Sequence, residues 1–191
     1  LQHPPVFTLG KLQSSRQNVL ASADQVRARG ATIEQSGRGG NVTFHGPGQL
    51  VAYPILDLNR FQRSVRWYVL AVEDVLIATA AAFGVHARRG GENETGVWVD
   101  DRKLAAIGVQ VSRWITSHGV ALNASTDLSY FDMIVPCGLR EKPQVTSLSR
   151  ELLRVVSVEE ASTQFEASFV RVFEAELIRT PPLPELAERE A

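Results

Sequence analysis

The chain has 191 residues, of which 44% are hydrophobic and 21% are charged, and its formal net charge at pH 7 is −1. This size and composition support one well-packed domain. No lysine or arginine run exceeds two residues and the longest apolar run, residues 77–85, is too short to span a bilayer, so we expect neither a nucleic-acid partner nor a membrane segment.

The first half of the chain alternates predicted strands and helices. Strands are predicted at residues 6–9, 31–34 and 51–56 from their β-branched and aromatic content. Apolar residues at three- and four-residue spacing predict amphipathic helices over residues 14–29 and 65–83, each followed by a glycine that ends it. The chain begins at Leu1 directly before a strand-like run, so we expect upstream residues, including any targeting peptide, to be missing.

A glycine-rich loop separates two of these strands, with five glycines in residues 37–48. Glycines at this density let a backbone approach a ligand closely, although an ordinary hairpin with glycine turns explains them equally well. Neither a phosphate-loop nor a dinucleotide pattern is present. Arg38 and His45 flank the loop with polar groups and favour a substrate-binding surface.

The second half of the chain is richer in strands. Its predicted elements are a hairpin of residues 96–99 and 103–111, a strand at 115–123, a short helix or turn at 127–134 and a strand or connector at 145–148. The capping box at residues 157–160 opens a helix whose apolar face runs from Ala161 to Leu177. Residues 180–191 read as a disordered tail, so residues 1–179 are expected to form the single folded domain.

Cys137 is the only cysteine, and it indicates a reducing compartment. A lone cysteine is more often a buried hydrophobe than a reactive group. Here, however, Pro136 and Gly138 place the thiol on a tight bend, where nucleophiles are presented. A reactive thiol also needs a cation or base. By themselves, Lys103 is most simply a solvated turn lysine, and His118 a core histidine whose polar groups are satisfied by Asn123 or the backbone.

Five motifs occur in one order along the chain. They are Gly37-Arg38-Gly39-Gly40 with Thr43-Phe44-His45-Gly46-Pro47-Gly48-Gln49-Leu50, Gly96-Val97-Trp98-Val99, Lys103-Leu104-Ala105-Ala106-Ile107-Gly108-Val109, His118-Gly119-Val120-Ala121-Leu122-Asn123 and Pro136-Cys137-Gly138. As a set they resemble the lipoyl(octanoyl) transferases, which make protein-bound octanoyl groups for lipoate synthesis. The resemblance covers residues 1–178.

This resemblance implies a single-domain α/β fold, a mixed sheet flanked by helices, as in biotin and lipoate protein ligases. Family members carry an N-terminal strand and helix upstream, and we expect both to be missing here. Residues 100–103 and 125–128 look closer to eukaryotic, mitochondrial members than to bacterial ones. We therefore expect a mitochondrial enzyme if the source is eukaryotic, which is favoured, and a cytoplasmic one if it is bacterial.

The resemblance also implies a mechanism. Cys137 attacks the octanoyl thioester of acyl carrier protein, and a lysine amine of a lipoyl domain then takes the acyl group. The implied acceptors are lipoyl domains of 2-oxoacid dehydrogenase complexes and the glycine cleavage H protein; no cofactor or metal is implied, and we expect a monomer. Lys103 is the implied partner of Cys137, because an ammonium near a thiol favours the thiolate.

Two groups of residues are implied to bind substrate. Amides of the glycine-rich loop and of the strand from Gly119 onward are suited to the thioester carbonyl and its oxyanion, and the small residues after Lys103 leave room for an acyl chain. The implied residues are Arg38, Gly39, Gly40, Asn41, Val42, Thr43, Phe44, His45, Ala106, Ile107, Gly108, Gly119, Val120 and Ala121.

Two alternatives stay open. An ATP-dependent lipoate or biotin ligase would need no cysteine, and a non-catalytic binding module of the same fold would never gain a covalent octanoyl group. A metal site is disfavoured because the four histidines show no ligand spacing. A serine hydrolase is disfavoured because Gly-x-Ser-x-Gly is absent.

Overall fold

The fold comes from a computed structural model, which describes residues 1–91, 94–135 and 144–179. Cys137 and the predicted tail at residues 180–191 lie outside the described residues. The strands are β1 (Val6–Leu9), β2 (Thr32–Gln35), β3 (Thr43–His45), β4 (Gln49–Ala52), β5 (Arg88–Arg89), β6 (Val97–Val99), β7 (Arg102–Ser112), β8 (Ile115–Asn123) and β9 (Gln144–Val145). The helices are α1 (Ala23–Ala28), α2 (Val65–Ala82), α3 (Leu148–Leu152) and α4 (Val158–Phe173), with short 3-10 helices at Gln13–Ser15, Leu58–Arg60 and Leu128–Met133.

The strands form two sheets. The larger sheet has the order β4-β8-β7-β6-β5, with antiparallel neighbours, and β9 adds a parallel pairing to β7. The smaller sheet has the order β2-β1-β3, in which β1 runs parallel to β2 and antiparallel to β3. This arrangement confirms the predicted mixed α/β fold.

The main core lies between the larger sheet and the helices α2 and α4. Leu76 of α2 and Leu104 and Leu122 of the sheet are fully buried there, together with most of Phe165 of α4. Each buried leucine contributes about 1.5–3 kcal/mol through the hydrophobic effect. In the described part of the chain, no helix is both long and apolar enough to cross a membrane.

A second, smaller core holds the three-stranded sheet against α1 and the 3-10 helix at Leu128–Met133. Phe7 of β1 and Phe44 of β3 face each other across the strand pair, with ring centroids 5.3 Å apart, and Tyr130 stacks on Phe44 at 4.3 Å. Each sheet therefore packs on its own hydrophobic core, and a pocket lies between the two sheets.

The predicted helix over residues 14–29 is wrong. Only residues 23–28 are α-helical, because Val19 instead forms a β-bridge with Ile134. The side chain of Ser22 accepts a hydrogen bond from the Gln25 amide, and Gln25 bonds back to the Ser22 amide. This capping box fixes the start of α1, so the apolar residues before it belong to a different contact.

Two helix faces also differ from the prediction at their ends. The helix α4 opens at its predicted capping box but ends at Phe173, where Glu174 adopts a left-handed conformation. Leu177 therefore lies beyond the helix and is 51% exposed. At the start of α2, Val65 is 45% exposed, whereas Val72, Leu76 and Ala80 of the same apolar stripe are buried.

Candidate active site

A pocket of about 620 Å³, counting the space open to solvent, lies between the glycine-rich loop and the larger sheet. Of the residues named from the sequence, it is lined by Arg38, Gly40, Asn41, Val42, Thr43, His45, Lys103, Ala106, Ile107, Gly108, Gly119, Val120 and Ala121. Thr8, Ser36, Val51, Tyr53 and His118 line it too and were not named as site residues. We call this space the central pocket.

Gly39 and Phe44 do not line the central pocket. Successive side chains of a strand point to opposite faces, so Thr43 and His45 face the pocket while Phe44 enters the smaller core and is 1% exposed. Gly39 uses its amide to donate a hydrogen bond to the Val109 carbonyl, at 3.0 Å. Its role is to tie the loop to β7.

Lys103 is not a solvated turn lysine, because it is only 5% exposed. Its Nζ donates a hydrogen bond to the Thr95 carbonyl at 2.9 Å and lies 5.4 Å from the centre of a Trp98 ring. Gly96 has a φ of +128°, and a Cβ there would lie 2.8 Å from Cε of Lys103. Only glycine combines this backbone conformation with so close an approach.

A β-bulge directs Lys103 into the central pocket. Trp98 pairs with Lys103 while the preceding Val97 pairs with Ala105, so Leu104 is an extra residue in β7. Without the bulge, Lys103 and Ala106 would lie on opposite faces of the strand. With it, both line the pocket, and Leu104 is fully buried in the main core.

A buried carboxylate supports the segment against which Lys103 rests. Glu73 on α2 is 5% exposed; its Oε1 accepts a hydrogen bond from the Gly96 amide at 3.0 Å, and its Oε2 lies 3.2 Å from Nε of Arg89. The ion pair with Arg89 offsets the cost of burying the Glu73 charge. Glu73 thus fixes the backbone that presents the Thr95 carbonyl to Lys103.

Arg38 crosses the wall of the central pocket opposite Gly108. Its guanidinium donates to the carbonyl and hydroxyl of Thr8, at 2.6 and 2.9 Å from Nη2, and to the Gly39 carbonyl at 3.0 Å. A Cβ at Gly108 would lie 2.9 Å from Cδ of Arg38. The absent side chain at residue 108 is therefore what lets Arg38 lie across β7.

His45 belongs to a chain of hydrogen bonds that leads away from the central pocket. His45 Nδ1 and Gln49 Oε1 are 2.9 Å apart, Gln49 Nε2 donates to Asn123 Oδ1 at 2.9 Å, and Asn123 Nδ2 donates to the Thr146 carbonyl at 3.0 Å. Burial, aided by the nearby charge of Arg38, lowers the pKa of His45 to about 4. Asn123 therefore belongs to this series of hydrogen bonds and does not bond to His118.

His118 adopts an unusual conformation for a strand residue, with a φ of +57°. Left-handed conformations cost energy for residues other than glycine and cluster at functional sites. Burial and the charges of Arg38 and Lys11 lower the pKa of His118. His118 lines the central pocket as a polar group on β8.

The central pocket combines a sheet wall of small residues, one buried lysine and the amides of a glycine-rich loop. Such a pocket can enclose an apolar chain and place a cation beside its polar end. Residues 1–91, 94–135 and 144–179 contain no group of three or more histidine, cysteine or acidic side chains that could hold a metal ion.

Comparison with known proteins shows that the chain is similar in sequence to octanoyltransferases. The family model for the lipoyl protein ligase A/B catalytic domain matches residues 1–170. The octanoyltransferase of Solibacter usitatus is 50% identical over 178 residues, which are 93% of this chain and 79% of that protein. The mitochondrial octanoyl-[acyl-carrier-protein]:protein N-octanoyltransferase of Danio rerio is 47% identical over 176 residues, which are 92% and 76% of the two chains.

Among solved structures, a bi-partite lipoate protein ligase of Thermoplasma acidophilum has a TM-score of 0.74 to this chain. The superposition covers 94% of this chain and 71% of that one, at 14% sequence identity. At this identity the likeness concerns the fold alone. It agrees with the fold expected from the sequence motifs.

Proposed function

The chain belongs to the octanoyltransferases of the lipoyl protein ligase A/B catalytic family, and we propose that it carries octanoyl groups from acyl carrier protein to lipoyl domains through an acyl-enzyme on Cys137. As an acyltransferase it acts in protein lipoylation. The observation that carries the proposal is the burial of Lys103 in the wall of a pocket whose small residues leave space for an acyl chain.

The proposed first half-reaction is a thioester exchange. The Cys137 thiolate attacks the carbonyl carbon of the octanoyl thioester, a new C–S bond forms, and the thiol of the carrier protein leaves. Lys103 as an ammonium favours the thiolate and supplies a proton to the leaving sulfur. The segment that carries Cys137 is followed along the chain by β9, in which Val145 pairs with Lys103, and this supports a meeting of the two side chains.

The glycine-rich loop is proposed to hold the reacting carbonyl. Backbone amides preorganised at the pocket wall stabilise the oxyanion of a tetrahedral intermediate more than they stabilise the ground state. The wall of Ala106, Gly108 and Ala121 is proposed to contact the octanoyl chain. Burying about six methylenes at about 0.8 kcal/mol each contributes about 5 kcal/mol at most, enough to favour medium chains over very short ones.

Lipoyl domains of 2-oxoacid dehydrogenase complexes and the glycine cleavage H protein are the proposed acceptors, and a monomer is the proposed active form. The proposed compartment is the mitochondrion for a eukaryotic source and the cytoplasm for a bacterial one. The bacterial and the mitochondrial relative described above are 50% and 47% identical to this chain, so both compartments stay in the proposal.

The proposal is tested by transfer from octanoyl-acyl carrier protein to an isolated lipoyl domain, with and without ATP. We expect transfer that does not depend on ATP. We also expect Cys137→Ser to lose transfer, because serine lacks a populated anion at working pH, while its thermal melt stays unchanged. Transfer that requires ATP and free octanoate would replace this function with that of a ligase, and transfer by Cys137→Ser would remove Cys137 as the nucleophile.

A further inference from the structure

Two residues of the sequence motifs, Gln49 and Asn123, are buried and polar but do not line the central pocket. Both belong to the hydrogen-bond chain that starts at His45. Asn123 Nδ2 donates to the Thr146 carbonyl, which can only accept, so Asn123 Oδ1 is left to accept from Gln49 Nε2. Gln49 Nε2 also donates to the Phe44 carbonyl at 3.1 Å.

These bonds fix the tautomer of His45. Both hydrogens of the Gln49 amide group are engaged by carbonyl oxygens, so Gln49 presents only its oxygen to the histidine ring. His45 Nδ1 must therefore carry the proton and donate it. A neutral imidazole has one donor and one acceptor nitrogen, so Nε2, on the other edge of the ring, holds a lone pair.

The lone pair of Nε2 is available in the central pocket. No described residue makes a hydrogen bond to Nε2 of His45, while the ring lines the pocket together with Lys103. The charged or titratable groups around the ring are Arg38, His3, Tyr53, His118 and Lys103, from five different segments of the chain. Burial and the Arg38 charge keep the pKa of His45 at about 4, so the ring is neutral near pH 7.

We infer that Nε2 of His45 accepts a hydrogen bond from the acceptor lysine amine and turns the nitrogen lone pair towards the acyl-enzyme carbonyl. This role rests on the proposed function, and it makes His45 a catalytic residue of the second half-reaction. Gln49 and Asn123 are positioning residues, since they act by holding the tautomer of His45.

The proton balance of the second half-reaction shows that His45 acts as a hydrogen-bond acceptor and not as the base that deprotonates the ammonium. The acceptor ammonium first loses one proton to solvent; a ring with a pKa of about 4 cannot take that proton to completion from a group with a pKa of about 10. The amine then attacks the thioester carbon, the C–N bond forms and the C–S bond to Cys137 breaks. One proton leaves the nitrogen and one is taken up by the sulfur, directly or through Lys103, giving an amide and a free thiol.

A matched pair of variants separates this role from a structural one. In His45→Asn the amide nitrogen can replace Nδ1 and keep the bond to Gln49, but no acceptor remains at the position of Nε2. In His45→Gln the side-chain oxygen reaches the position of Nε2 and restores an acceptor. Thermal melts of both variants report whether the fold is kept.

The two half-reactions are then timed separately by intact mass. Acylation is followed after mixing with octanoyl-acyl carrier protein, and transfer is followed after the isolated acyl-enzyme meets a lipoyl domain. We expect the ratio of transfer rate to acylation rate to fall about tenfold to a hundredfold in His45→Asn, as for the loss of one hydrogen bond to a group that gains charge, and to recover at least partly in His45→Gln.

Other outcomes overturn the inference. An unchanged ratio in His45→Asn, an equal loss of both rates, or no recovery in His45→Gln would show that Nε2 does not act on the amine. A wild-type enzyme that gains no octanoyl mass would overturn the proposed function itself, and this role with it. The tautomer has its own readout: in ¹⁵N-histidine-labelled wild type, NMR must show His45 protonated at Nδ1, and protonation at Nε2 would contradict the inference.

Discussion

Gly108→Val tests how the wall of the central pocket is built. A Cβ at residue 108 would lie 2.9 Å from Cδ and 3.4 Å from Nη1 of Arg38, and 3.2 Å from the Gly39 carbonyl oxygen. The first and third distances are shorter than normal contacts, and the backbone oxygen cannot yield as easily as the flexible arginine stem. Valine adds two more methyl groups, so Arg38 must move.

The direction in which Arg38 moves follows from its hydrogen bonds. Overpacking a close-packed wall costs about 1–3 kcal/mol, whereas each bond from the guanidinium that is lost without replacement costs about 1.5–3 kcal/mol. Arg38 makes bonds to both Thr8 and Gly39. We therefore expect the guanidinium to stay with Thr8 and the stem to shift towards the space that an acyl chain would use.

The assay compares acylation of Cys137 by four-, six-, eight- and ten-carbon donors beside a thermal melt. We expect Gly108→Val to lose about 1–3 kcal/mol of stability and to lose longer donors first, with Gly108→Ala intermediate. Gly91→Val is the matched control, because Gly91 is exposed and, among the described residues, its Cβ would meet only the end of the Glu94 side chain, at 3.3 Å.

A double variant identifies the cause. If the clash with Arg38 is responsible, Gly108→Ala should cost less stability in an Arg38→Met background than alone, with a coupling of at least about 0.5 kcal/mol. An unaltered donor profile in a destabilised protein would refute the assignment of the acyl chain to this wall.

Three further variants test the lysine, its support and the histidine. Lys103→Arg keeps the charge but cannot release a proton at working pH, so we expect steady-state octanoyl transfer to fall at least about a hundredfold; full activity would reduce Lys103 to a fixed charge. Glu73→Gln removes one of the two carboxylates that pair with Arg89, the other being Asp74. It should lower the unfolding free energy in urea by about 1–3 kcal/mol and slow acylation; wild-type values for both would contradict the role of Glu73 in supporting Gly96. His45 has a pKa of about 4 in the folded state, against an ordinary value of 6.5. Between these two pH values the folded state binds fewer protons than the unfolded state, so the free energy of unfolding falls as the pH drops from 6.5 to 4, by up to about 3 kcal/mol. Urea titrations from pH 7 to pH 4 should show this loss in wild type and a smaller one in His45→Asn; equal losses would argue against it.

Much of the architecture was predictable because hydrophobic periodicity is a local signal. The strand pattern of β7 and β8 and the long stripe of α2 follow directly from spacing. The helix over residues 14–29 failed because Val19 pairs with Ile134, which is 115 residues away (134 − 19). The Ser22 and Gln25 capping box was present in the sequence and would have placed the start of α1 correctly.

The candidate site was predictable as a set of motifs but not as a geometry. No pattern in residues 102–112 shows that Leu104 is a bulge, and without the bulge Lys103 would lie on the wrong face of β7. Glu73 was hidden because its helix reads as apolar, and its partner Gly96 lies in another segment. The tautomer of His45 depends on Asn123, which the topology, not the local sequence, brings into contact with Gln49.

The most direct test of the account is the intact mass of the enzyme after brief incubation with octanoyl-acyl carrier protein alone, followed by peptide mapping. The account predicts a gain of one octanoyl group on the peptide that contains Cys137, and its removal when a lipoyl domain is added. Cys137→Ser should gain no mass under the same conditions. An unmodified wild-type chain that still octanoylates the lipoyl domain, or an octanoyl group mapped to a residue other than Cys137, would contradict the account.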